Sequence, residues 1–488
     1  MTPTTQVQNL QQMAVTPVRT YKAQAYGAIV VMIAVPVLCI AGNQAGLLRV
    51  VFPVLSFVVG VFLFWRSKPL YVGLVCWLWF ITPFLRRIAD FQSGWSPTSA
   101  VLLAPYLAAS ISTITLLTSL KHFGERKSLP YVCALVGITY GTIIGLVRFP
   151  LFNVLQALLN WVVPVIFGFF IYQHRELYQE FRKVLEQSFL YGILLTGAYG
   201  IYQFFNLPDW DRTWMLNVQM NSFGAVEELK VRVFSTMNAP AIFAAVATCG
   251  LLLLFSLKGT MRLLAAACGF LALILTMSRA SWLSLIVGFI FLALQSDMRQ
   301  RLRLAIVTVA CMVFLLAATQ IPPVNDLVMH RIQTFSDPSQ DVSYTARIDG
   351  HEEAFKQIMT EPFGEGLGST DTEHGTEGDD DFIGPHDSTV LELFYSLGWI
   401  GTLIYATGLG VLVMQLMRSG KSDPFVLSAK AIVIGFVAQC LLNSIFLGVL
   451  GFMIWTFAAM SVAQMDFAEQ SAEEPEQQPV EAEAYMAA

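Results

Sequence analysis

Apolar runs of nearly 20 residues recur along the whole chain, separated by short polar stretches. That is the length an α-helix needs to cross the hydrocarbon core of a bilayer. The pattern predicts spans at about 25–42, 47–64, 69–85, 99–118, 129–147, 152–173, 187–206, 239–257, 262–277, 280–296, 303–320, 389–416, 425–443 and 446–464. The fold class is therefore an all-α polytopic membrane protein with about 12–14 transmembrane helices. A transmembrane β-barrel is excluded, because its strands would be short and alternating rather than continuously apolar. No Asp, Glu, Lys or Arg falls at the centre of a predicted span. Ion-coupled transporters place such residues near the midplane, so any chemistry is expected at a membrane interface.

Two polar segments break the rhythm, 207–238 and 321–388. The expected organisation is an N-terminal segment at 1–24, eleven helices over 25–320 with a loop at 207–238, a large loop at 321–388, C-terminal helices over 389–464, and a tail at 465–488. The first 20 residues are polar and more spans follow the first apolar run, so the first helix is expected to act as a signal anchor. Basic residues set the orientation. With the N-terminus cytoplasmic, 18 of the 29 bases fall inside and 11 outside, which favours both termini inside and the two long loops on the periplasmic side. Nine of the 11 outer bases are Arg, and guanidinium is the better bidentate partner for phosphate oxygens. The alternative is a set of interfacial arginines snorkelling to lipid phosphates.

Composition sharpens the class. Hydrophobic residues make up 55% of the chain and charged ones 13%, which excludes a disordered chain, a nucleic-acid-binding domain and an ordinary cytosolic enzyme. The net charge of −5 belongs to the end of the chain, where seven acids and no base follow from Asp466 onward. That end reads as a solvated, disordered acidic tail. All seven cysteines lie in apolar runs with no CxxC pair, so they read as small buried apolar residues.

Four outer segments hold candidate chemistry. Val231–Pro240 enters a span. Leu275–Trp282 is a hairpin so tight that Arg279 sits where two helices meet the interface. Tyr344–Gly368 reads as an amphipathic helix ended by Pro362 and a glycine-rich turn. Gly384–Leu393 opens the twelfth span with His386, Asp387 and Glu392. Arg232, Arg279 and Arg347 suit an anionic lipid headgroup: preorganised guanidinium can stabilise the charge of a departing diphosphate without a metal. A neutral His386 at the water boundary can take a proton from an attacking hydroxyl, and Glu392 can pair with an Arg or orient the acceptor. The stretch 370–381 carries six acids but does not match the calcium-loop pattern, and reads as an acidic loop or a lid.

These segments resemble the O-antigen ligase and polymerase superfamily of bacterial envelope glycosyltransferases. The matching pieces are Arg-x-Phe-Ser-Thr-x-Asn-x-Pro at 232–240, Thr-x-Ser-Arg at 276–279 and Ala-Arg at 346–347. Pro-Phe-Gly-x-Gly-x-Gly at 362–368 and the His followed by a helix ending Leu-Gly-Trp-Ile-Gly at 397–401 complete the set. The resemblance covers about 190–410. It implies a GT-C-like glycosyltransferase of the inner membrane whose donor is a glycan on undecaprenyl diphosphate. The acceptor is the lipid A core in ligases and a growing lipid-linked glycan in polymerases. Transfer is inverting, with no metal or other cofactor. Carried over, the catalytic residues are Arg279, Arg347 and His386, with Arg232, Asn238, Glu392 and Asp387 binding substrate. One departure stands out: the family often shows His-Asn, with ten residues between His and Gly, whereas here Asp387 follows His386 and 11 residues separate it from Gly398. One residue is about 100° of helix rotation, so Asp387 and Glu392 are replacement candidates for the base. The ligase-like assignment is preferred over a polymerase. Rivals from other classes are a transporter or flippase for lipid-linked sugars and a structural subunit of an export complex.

Overall fold

A computed structural model describes residues 23–302, 306, 309, 342–369, 388–418 and 423–473. Among these the chain is α-helical, with no strand beyond an isolated bridge between Gly224 and Val231. In hydrocarbon every backbone N–H and C=O must be paired within the segment, which leaves the helix as the form an isolated span can take. Eight of the described helices are long and apolar enough to cross a membrane, and four shorter apolar helices accompany them. We number the helices α1 (Ala23–Ala41), α2 (Leu48–Arg66), α3 (Lys68–Ser93), α4 (Ala104–Ser110), α5 (Thr113–Thr118), α6 (Leu129–Arg148), α7 (Leu151–Gln173) and α8 (Tyr178–Asn206). There follow α9 (Asp209–Val218), α10 (Pro240–Leu254), α11 (Met261–Leu275), α12 (Arg279–Gln295), α13 (Val342–Thr360), α14 (Thr389–Arg418), α15 (Pro424–Ala438) and α16 (Gly448–Glu473).

Thirteen of the fourteen expected spans coincide with helices, and the fourteenth, 303–320, lies outside the described residues apart from 306 and 309. Two boundaries differ in ways that matter. α3 does not end near residue 85: it runs on to Ser93 and carries Arg86, Arg87 and Asp90 in its buried face. α16 runs on to Glu473, so Asp466 lies within a helix, where it pairs with Lys127 and Arg175 and accepts from Tyr172. The loop at 207–238 contains a helix of its own, α9.

The bundle packs α7 on α16, α8 on α11, α12 on α15 and α6 on α14. An aromatic core of Phe64, Tyr71, Phe167, Phe170 and Phe452 ties α2, α3, α7 and α16 together. α14 is broken. Gly398 has φ 61° and ψ −175°, a conformation open in practice only to glycine, and splits the helix into a short first part and a long second one.

The glycine-rich turn at 362–368 fills the corner between α6 and this break. Leu367 donates its amide to Gly141 O at 3.0 Å, Glu365 to Tyr395 O at 2.8 Å, and Trp399 to Pro362 O at 2.9 Å. Backbone meets backbone so closely that a Cβ on Gly398 would lie 2.3 Å from Phe363 O, and one on Gly145 would lie 2.1 Å from Leu367 O. Arg148 at the end of α6 clamps the turn through Glu365 at 2.8 Å and Glu361 at 3.4 Å. The turn therefore docks into the bundle as well as ending α13. Gly398→Ala should lower stability by about 1–3 kcal/mol from backbone strain alone, whereas Gly410→Ala on the same helix, with open space around it, should be neutral or slightly stabilising. Thermal unfolding of the two variants in detergent checks this, and equal midpoints would contradict it.

Candidate functional site

The described candidates Arg232, Asn238, Arg279 and Glu392 lie toward one end of the bundle, where α3, α6, α8, α11 and α15 finish and α7, α10, α12, α14 and α16 begin. At this end a strap, Val231–Ala239, extended at first and turning at Phe234–Met237, lies on the end of α11. Val233 donates to Leu275 O at 3.0 Å, which docks the strap on the last turn of α11. The Arg232 guanidinium then reaches the two carbonyls that follow, Thr276 O at 3.2 Å and Met277 O at 3.3 Å. Those carbonyls belong to the hairpin that ends in Arg279. Met277 takes a positive φ of 56° and Ser278 donates its amide to Thr276 Oγ1, so the chain reverses within three residues and α12 starts at Arg279. Arg232 and Arg279 are thus brought to one place by backbone geometry, and both are half-buried. The Arg232 guanidinium thus lies beside the start of the 17-residue helix α12, whose first residue is Arg279, an environment suited to an anion.

Beneath the strap lies a buried polar network that the sequence reading did not find. Ser235 has φ 51°, an uncommon conformation for a residue with a side chain. Gln203 holds it there, its Oε1 accepting from the amides of Phe234 at 3.0 Å and Ser235 at 2.8 Å. Arg87 donates to Ser235 O, lies 4.8 Å from the Phe234 ring centroid, and pairs with Asp211 at 2.9 Å. Asp211 also accepts from Tyr199 at 2.7 Å and Gln203 at 2.6 Å. Burial pushes the Asp211 carboxyl above its ordinary pKa, and Arg87 and the bonds from Tyr199 and Gln203 oppose that shift. Arg86 supports the other side. It lies 4.7 Å from the Trp214 ring, and Trp214 Nε1 donates to Asn238 O at 3.3 Å. Arg49, Arg86, Arg87 and Arg148, four of the outer bases, thus have carboxylate partners that hold the fold. Arg87 and Asp211 escaped notice because nothing in the sequence links them. The one signal was a cluster of three charged residues, Arg86, Arg87 and Asp90, at the end of an apolar run.

Glu392 lies in the first turn of α14 and is buried, with 1% of its surface exposed. It accepts a hydrogen bond from Ser444. The start of α14 is stitched to the turn before α16: Thr389 donates its amide to Cys440 O at 2.8 Å, and Ile445 donates its amide to Thr389 Oγ1 at 3.0 Å. Arg347 lies in α13, where its side chain is not described. His386 and Asp387 lie outside the described residues, as does the acidic stretch 370–381. Between the strap and the start of α16 is a cavity of about 370 Å³ lined by Asn238, Asn160, Asn443 and Ser444 among others. It joins the strap to the serine that bonds Glu392. Among the described residues, no group of three or more His, Cys, Asp or Glu is arranged to hold a metal ion.

No curated protein matches the chain. The family model described as O-antigen ligase matches residues 264–406, which take in most of α11, all of α12 and α13, the glycine-rich turn and the first part of α14. Arg279, Arg347, His386, Asp387 and Glu392 fall within the matched residues, and Arg232 and Asn238 precede them. Together with the polytopic helical fold, this match supports an O-antigen ligase- or polymerase-like membrane glycosyltransferase. Over residues 264–406 the chain is thus similar to the O-antigen ligase family.

Proposed function

We propose that the protein transfers a glycan from undecaprenyl diphosphate to an acceptor hydroxyl at the periplasmic face of the bacterial inner membrane, as an O-antigen ligase does. The observation that carries the reading is the junction of Arg232 with the Thr276–Met277 carbonyls, which brings a second guanidinium to the hairpin of Arg279 at the start of α12. An acceptor oxygen attacks the anomeric carbon, the bond from that carbon to the diphosphate oxygen breaks, and the configuration inverts. Negative charge grows on the leaving diphosphate, where Arg279, Arg232 and Arg347 stabilise it in the manner of an oxyanion hole. His386 accepts the acceptor's proton, with Asp387 and Glu392 as alternatives for that role. Asn238 and Glu392 orient sugar hydroxyls. The arginines take over the role a divalent cation plays in other diphosphate departures, so transfer should be unchanged by EDTA; activity lost with the chelator and restored by calcium would overturn metal independence.

The gene deletion tests the ligase reading against its relatives. Loss of every long chain from the lipid A core, with lipid-linked polymer accumulating, is the expected gel pattern. A core that keeps a single repeat while the ladder disappears would make the protein a polymerase. An unchanged lipid profile with secreted polysaccharide missing would point to exopolysaccharide polymerisation or export.

A further inference from the structure

We propose that the C-terminal half of α13 and the glycine-rich turn after it enter the lipid bilayer, in the leaflet at the candidate-site end of the bundle, with Phe355, Met359 and Phe363 among the acyl chains. The depth of the turn follows from its backbone bonds. Leu367 donates its amide to Gly141 O at 3.0 Å, and Gly141 lies seven residues before α6 ends at Arg148. At 1.5 Å per residue that is about 10 Å inside the helix end. Trp399 donates to Pro362 O at 2.9 Å and Gly364 packs on Gly398, nine residues into α14. This second helix gives roughly 13 Å. Both helices are long and apolar enough to cross a membrane. The 20 residues of α6 carry no charge before Arg148, and their length of about 30 Å equals the thickness of the hydrocarbon core. Irregular backbone is tolerated at such depth only where it is packed in protein with its polar groups paired. The turn meets that condition. The amides of Gly364, Glu365 and Leu367 bond to Glu361 O, Tyr395 O and Gly141 O, and Gly364, Gly366, Leu367 and Gly368 are buried. Its two acids reach Arg148 at the helix end, the direction in which a charged side chain escapes hydrocarbon.

α13 shows the same boundary around its circumference. Steps of about 100° per residue divide its C-terminal half into three faces. Ala354 and Ile358 are buried against the bundle, where Ile358 O accepts from Trp399 Nε1 at 3.2 Å. One step round, Phe355 and Met359 are 56% and 58% exposed. One step further, Glu352, Lys356 and Thr360 are exposed, with Glu352 and Lys356 paired at 2.8 Å. A protein-facing side, then an open apolar side, then an open charged side is the order expected of a helix lying where hydrocarbon meets water. Phe363, 59% exposed, continues the apolar side past the end of the helix. Tyr140 of α6 donates to Phe363 O at 3.4 Å. On the two spans that hold the turn, Val147 of α6 and Ile400 and Leu403 of α14 are exposed as well. The apolar side of α13 thus runs into the belt these spans turn to lipid, which makes acyl chains its occupant rather than a second copy of the chain. Part of the segment expected as a periplasmic loop is therefore embedded in the membrane. This placement does not depend on the proposed transfer, and either can fail without the other.

The test uses the full-length protein in nanodiscs of phosphatidylethanolamine and phosphatidylglycerol. Phe355, Met359 and Phe363 are replaced, one at a time, by p-benzoylphenylalanine, which inserts into neighbouring C–H bonds under ultraviolet light. Each variant should gain the mass of one phospholipid, joined through an acyl chain at position 363. The same replacement of Glu352, Lys356 or Thr360 should give no lipid adduct. Val147 on α6, which faces lipid whatever α13 does, is the positive control. All seven side chains are exposed, so the unfolding midpoints should match the wild type, and they are measured alongside. No lipid adduct at 355, 359 and 363 while position 147 gives one would overturn the proposal. Equal yields at 352, 356 and 360 would overturn it as well. A covalent dimer from 355 or 359 would assign the face to a second copy instead. The unsubstituted protein gives an independent reading. Met359 should be shielded by lipid from hydroxyl radicals generated in the water, although the fold alone leaves it open. Oxidation at the rate of a solvated methionine would contradict the placement.

Discussion

Arg279→Ala should lower glycan transfer by about two to three orders of magnitude, the usual loss when one preorganised donor to a developing anion is removed. The variant should still fold. Arg279 opens α12 and is itself half-buried, whereas the buried turn before it is shaped by Met277, by Thr276 and by the bond between Ser278 and Ser281 at 3.2 Å. Arg279→Lys restores the charge but not the planar fork, so it should recover only part of the rate. Rates from purified variants with equal unfolding midpoints decide the matter. An Arg279→Ala protein that transfers glycan at the wild-type rate would remove the diphosphate-neutralising role.

Arg87→Met should be the most damaging single change to stability, by about 3–5 kcal/mol, the cost of leaving a buried charge without its partner. Arg87 is fully buried, and its loss would strand Asp211 and release Ser235 O. The double variant Arg87→Met with Asp211→Leu should recover part of that loss, because no lone charge remains. Recovery should be incomplete, since Tyr199 and Gln203 lose their acceptor. Denaturation in detergent, with helix content read by circular dichroism, gives both numbers. A single variant as stable as the wild type would show that the pair does not hold the strap.

How much of this was legible in the sequence depends on the range of each interaction. The spans were legible because hydropathy is local, and the helices follow it. The meeting of Arg232 with the hairpin of Arg279 was only half legible: both motifs could be read, but the bonds from Arg232 to Thr276 and Met277 depend on how the strap lies over α11. The glycine-rich turn could be read as a helix stop. Its role as a wedge against Gly141, Gly145 and Gly398 could not, because that requires three separate backbones to meet. Asp466 looked like the first residue of an acidic tail, since its partners Lys127 and Arg175 are remote in sequence. Arg87 and Asp211 were missed for the same reason: a charge at the end of an apolar run looks like a loop residue until the helix is seen to continue.

The most direct test of the central claim is transfer by the purified protein reconstituted in liposomes with a glycan on undecaprenyl diphosphate and a lipid A core acceptor. The prediction is glycosylated core together with free undecaprenyl diphosphate in equal amounts, with EDTA present. Donor left intact, or moved across the bilayer without loss of its glycan, would contradict the account.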